Sequence, residues 1–134
     1  MDGRDGRDGV GVIDNVLIDV PRTSWEYSNI DYNNYFFATV DMPKITKTAF
    51  RKGLIKVYRV YDFDKDNGAQ IELPYVRLNE EYIGDDYWVF YTETVDYEFG
   101  VGTMTIYYTV SDFNYEIDES FVPEAMQFRC VIMY

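Results

Sequence analysis

Three aspartates at alternate positions, Asp62, Asp64 and Asp66, have the spacing in this chain that most invites chemistry. They open the run Asp62-Phe63-Asp64-Lys65-Asp66-Asn67-Gly68, and carboxylates at positions 1, 3 and 5 begin a helix-flanked calcium loop. The rest of that pattern is missing. Such a loop needs glycine at position 6, where Asn67 stands, and a bidentate glutamate at position 12, where Leu73 stands. A hairpin turn explains the same residues without metal, with Asn67-Gly68 as its positive-φ pair. Asp62, Asp64 and Asp66 are kept as a weak calcium candidate, and no other cofactor is expected.

Composition removes most other chemistry. The chain has no histidine and one cysteine, Cys130. It can build no Ser-His-Asp or Cys-His arrangement, no ordinary zinc site and no internal disulfide. No glycine-rich phosphate cradle joins a strand to a helix. Carboxylate pairs such as Glu80-Glu81 and Asp85-Asp86 could in principle serve a glycoside hydrolase. With 24 acids in 134 residues, such pairs arise readily as solvated charge. The chain therefore reads as a non-enzyme. Cys130, inside Phe128-Arg129-Cys130-Val131-Ile132-Met133-Tyr134, reads as a small buried hydrophobe. Fourteen tyrosines and two tryptophans could furnish a sugar or protein contact surface. Tyrosine also serves at sandwich edges with its ring buried and its hydroxyl wet. Trp25 and Trp88 are expected in the core.

The net charge of −12 repels phosphate backbones and anionic lipid surfaces, so neither nucleic acid nor membrane is an expected partner. No apolar run approaches the roughly 18 residues of a membrane helix. What remains as a partner is a protein or a glycan.

The elements that must position these residues are mostly strands. Residues 2–11 repeat glycine at Gly3, Gly6 and Gly9, the spacing of a collagen-like Gly-X-Y stalk. By themselves these triplets make a flexible linker. No secretory leader is visible, and the sharper reading of the triplets is the tail of a longer Gly-X-Y stalk. The fragment is expected to be a monomer, and the parent trimeric through its stalk. Residues 12–134 read as one β domain.

Strands are expected at Val12–Val20, Tyr35–Val40, Leu54–Tyr61, Ala69–Leu73, Tyr87–Val95, Thr103–Val110 and Gln127–Met133, from their alternating apolar residues. Ser24–Tyr27 reads as a short extended piece. Ser28–Asn34, Val76–Asp86 and residues 111–124 read as polar loops. Thr46 caps a short helix near 46–52, and Gly53 is its expected left-handed stop. Ile45, Ala49 and Phe50 should plug one end of the core. Pro74 puts its strand at an edge or a bulge. The sum is all-β: a two-layer β-sandwich, Ig-like in shape, of about seven to eight mostly antiparallel strands with one short helix. A closed barrel is the alternative.

Taken together, these features resemble a known group. They are the triplets at Gly3, Gly6 and Gly9; Trp25; Pro43, Ile45 and Thr46; Gly53, Val57 and Tyr58; Leu73, Pro74 and Tyr75; and Phe128, Arg129, Val131 and Ile132. This pattern is similar to the C-terminal domain of gut-bacterial collagen-like cell-envelope proteins, lipoproteins of unknown function. Cys130 and the acidic stretch 62–68 depart from it. The resemblance implies a lipid-anchored parent on a stalk, in the periplasm or at the surface, and implies no reaction. The expected function is a structural or ligand-binding role. The alternatives are a carbohydrate-binding module, with or without calcium, and a carboxylate-based glycoside hydrolase.

Overall fold

In the computed structural model, residues 11–30, 33–111 and 122–134 are described. The glycine triplets and most of the acidic stretch 111–124 lie outside them. Alternation of apolar and polar residues produces nine strands among the described residues: β1 (Ile13–Val20), β2 (Glu26–Ile30), β3 (Asn33–Met42), β4 (Leu54–Tyr61), β5 (Ala69–Glu72), β6 (Tyr75–Gly84), β7 (Tyr87–Gly100), β8 (Gly102–Ser111) and β9 (Met126–Met133). They form two antiparallel sheets, ordered β1-β9-β4-β5 and β2-β3-β8-β7-β6. The all-β sandwich is as expected. Two of its strands are additions to the reading from sequence.

The first is β2, which pairs Ser28 and Asn29, expected in a polar loop, with β3. The second is β6, in the stretch Val76–Asp86. Its apolar residues Val76, Leu78 and Tyr82 do alternate, but they face outward and are exposed. Core-directed patterning, the usual strand signal, is therefore lost. Asp85 and Asp86, with φ of 50° and 58°, close the β6–β7 hairpin as a two-residue turn. Aspartate tolerates this left-handed region better than most residues.

The core lies between the sheets. Val57, Phe128, Cys130 and Ile132 from one sheet meet Phe36, Ala38, Val95, Met104 and Ile106 from the other. One row crosses the whole five-stranded sheet on its inner side: Tyr27, Phe36, Tyr108, Val95 and Tyr75. The chain passes between sheets at both edges. The three-residue turn Arg22–Ser24 leads from β1 to β2, and Leu73 with its cis-linked Pro74 leads from β5 to β6. This fits the expectation that proline marks an edge.

The helix α1 (Lys47–Lys52) begins as expected, Ala49 N donating to Thr46 Oγ1 at 3.1 Å. Ile45 and Ala49 are buried plugs, but Phe50 is not. It stands half-exposed, edge-on to Phe99. Gly53 also differs from expectation. Its backbone is extended (φ −91°), and glycine is needed because a Cβ would lie 2.6 Å from the Ala49 carbonyl oxygen and 2.7 Å from that of Met133. Gly68 repeats the lesson. Neither it nor Asn67 has a positive φ, but a Cβ at Gly68 would meet the Asp62 carbonyl oxygen at 2.3 Å. Close backbone approach selects glycine at both places.

Candidate functional site

Asp62, Asp64 and Asp66 are exposed in the turn between β4 and β5. Asp62 takes a φ of 50°, and its Oδ1 lies 3.8 Å from Lys65 Nζ. The lysine thus competes for the first carboxylate of the candidate set. Among the described residues, no group of three or more acidic, cysteine or histidine side chains is placed to hold a metal ion.

Cys130 is fully buried, and burial pushes its thiol up to about 11. The two tryptophans separate. Trp25 is buried (6% exposed), its Nε1 donating to the Glu124 carbonyl at 3.1 Å. Trp88 is 48% exposed, contrary to the expectation that both lie in the core.

A polar cluster between the sheets was not expected from the sequence. Arg59 shares the inward face of β4 with Ile55 and Val57 and is only 6% exposed. Its Nη1 donates to Tyr75 Oη at 2.6 Å, and its Nη2 lies 3.6 Å from Glu124 Oε1. The guanidinium stacks over the Tyr61 ring at 4.6 Å. Glu93 accepts from Tyr108 Oη at 2.7 Å and from Tyr75 Oη at 3.5 Å. Burial raises the pKa of both Tyr75 and Tyr108; for Tyr108 the bond to Glu93 adds to the rise, and for Tyr75 Arg59 opposes it. The register carried a usable signal. Arg59 has the parity of Ile55, Val57 and Tyr61, and Glu93 that of Val95.

This cluster ties the sheets together and does not form a paired-carboxylate site. Both Glu93 oxygens are engaged by tyrosine hydroxyls. The open groove beside it, about 560 Å³, is lined by Arg59, Tyr61 and Glu124 but not by Glu93. A second open groove, about 610 Å³, lies on the outer face of the four-stranded sheet beside Tyr58. Arg129 covers the Tyr58 ring there at 4.8 Å and donates to Gln70 and Asn15, so its polar groups are already matched.

Ile13, Leu17 and Leu54 are also exposed on that face, but the outer face of the five-stranded sheet adds exposed aromatic rings beside its apolar side chains. Near its free edge, Val76 and Leu78 are 65% and 71% exposed, and Tyr82, Trp88 and Phe90 are about half exposed. Tyr82 and Trp88 meet edge-on at 5.0 Å, with 62° between their planes. The β6–β7 hairpin extends past the last pairing of β7 with β8, at Thr92–Ser111. Among the described residues it therefore presents Tyr82, Trp88 and Phe90 on a two-stranded ribbon, with Val76 and Leu78 beside them where the sheet is deeper. Further in, Tyr35, Phe37 and Tyr107 form a second, half-buried aromatic group. Contiguous exposed apolar surface of this kind marks contact sites in folded proteins.

No helix among the described residues is long and apolar enough to cross a membrane. The chain matches no family model, no curated protein and no solved structure.

Proposed function

We propose that this chain is a non-catalytic binding domain, and that its contact surface is the outer face of the five-stranded sheet. The observation that carries this reading is the exposed, contiguous set Val76, Leu78, Trp88 and Phe90 along the β6–β7 hairpin. Apolar side chains held in water cost roughly 25 cal/mol per Å² relative to burial. A partner that covers them recovers that free energy. Placement on a bacterial cell envelope, at the end of a stalk on a lipid-anchored parent, rests on the glycine triplets and on the resemblance above.

A carbohydrate ligand is the second reading, favoured by the exposed rings of Trp88, Tyr82 and Phe90. A flat sugar platform wants coplanar rings, and Tyr82 and Trp88 stand edge to face instead. The test is a glycan array with the intact chain and a Trp88→Ala/Phe90→Ala variant, alongside a protein-ligand screen. Ligands held by the native chain and lost by the variant support the reading. Ligands held equally by both overturn the choice of face.

A further inference from the structure

We propose that the partner on this face is an extended, basic segment of another polypeptide lying alongside β6. This rests on the assignment of the outer face as the contact surface, and goes further by naming the chemistry of its occupant.

Three observations point to it. First, among the described residues β6 is an edge strand ten residues long and pairs on one side only, with β7. In an antiparallel pair every second residue turns its N–H and C=O away from its neighbour, so β6 offers a row of backbone groups to an added strand. Second, the residues of β6 on the outer face, Val76 and Leu78, are the most exposed large apolar side chains among the described residues. A strand laid beside them would cover their flanks, as in other complexes built by strand addition.

Third, the charge on this face is of one sign. By register, the described residues of the outer face carry Glu80 on β6, Asp96 and Glu98 on β7, and Glu26 and Asp41 on the far strands, all exposed, and no lysine or arginine. The outer face of the four-stranded sheet, by contrast, matches Lys56 with Glu72 and Arg129 with polar neighbours. A second copy of this chain, itself at −12, is repelled. A neutral glycan can donate hydroxyl hydrogen bonds to the carboxylates but brings no opposite charge to them. Lysine or arginine side chains gain from both the carboxylates and the ring faces of Trp88 and Phe90. Alternation in the added strand would bring every second side chain to this face.

The probe is a synthetic peptide as long as β6 that alternates lysine with valine. Binding is followed by Trp88 fluorescence in a Trp25→Phe background and by amide exchange of the native chain. Two triple variants are compared, Glu80→Gln/Asp96→Asn/Glu98→Gln and Asp62→Asn/Asp64→Asn/Asp66→Asn. They remove equal charge, so general attraction to an acidic protein affects both alike. The expected result is an affinity loss of about tenfold for the first and under about twofold for the second. Slowed exchange should be centred on residues 75–84. Equal losses, no binding, or protection elsewhere overturns the proposal. If the peptide fails but another ligand is lost on Trp88→Ala/Phe90→Ala, the inference falls and the contact face stands. If no ligand depends on Trp88 and Phe90, both fall.

Discussion

Arg59 shows how a single residue can be misjudged by type and judged correctly by position. An arginine in a strand is expected at the surface, yet here its parity puts it between the sheets with Tyr75, Glu93 and Tyr108. Buried polar groups of this kind are stable only when each finds a partner. Tyr108→Phe removes the 2.7 Å donor to Glu93 and leaves a half-buried carboxylate short of one bond. We expect a loss of about 1–3 kcal/mol in urea unfolding, with the fold retained. Cys130 supports a prediction about pH. Burial raises its folded pKa from 9.0 to about 11, which favours the neutral thiol. The stabilisation is therefore full below pH 9 and is lost as the pH rises towards 11. Tyr75 and Tyr108, raised by burial, act in the same direction at still higher pH. Melting temperature should fall across this window, and Cys130→Ala should show a smaller fall between the same two pH values.

Among the elements, turns account for most of the differences between expectation and structure. A glycine can be required by φ or by space, and sequence does not say which. Gly53 and Gly68 are required by space, Gly84 and Gly102 by positive φ. Gly53→Ala is therefore expected to destabilise the domain by more than the usual benefit of replacing glycine, about 0.4–1 kcal/mol, could offset. A thermal melt of that variant checks this. The turn from Asp62 to Gly68 is expected to act as a turn and not as a calcium site. Addition of calcium to about millimolar concentration should leave the melting temperature unchanged, because specific binding would raise it. A reproducible rise that is lost on Asp64→Asn would restore the metal reading. The β6–β7 hairpin differs from the expected loop for another reason. Its apolar residues face solvent, and its turn is made of Asp85-Asp86 where Asn-Gly or Asp-Gly is the stronger signal.

At the scale of the whole molecule, the two outer faces divide the work. The four-stranded sheet presents matched charges and a tyrosine already covered by Arg129. The five-stranded sheet presents acids, exposed rings and, among the described residues, an open edge. A long apolar edge strand invites aggregation unless it is defended or used. The register shift between Tyr82 and Gly84 distorts β6 only at its turn end, so the regular open edge runs from Tyr75 to Tyr82.

Much of this domain was legible from residue order alone. The all-β class, the inward sets Met104-Ile106-Tyr108-Val110 and Phe128-Cys130-Ile132, the Thr46 cap and the edge position of Pro74 all follow from period-two alternation and backbone chemistry. These are local properties, and local sequence carries them. The tertiary structure alone decided the rest. Which face of a strand meets the other sheet depends on partners far along the chain, so Arg59 went inward and Trp88 outward. Whether a glycine is needed for space depends on a carbonyl brought in by another segment. The one-signed outer face exists only because β2, β3, β8, β7 and β6 pair in that order, gathering acids spread from residue 26 to residue 98 onto one surface.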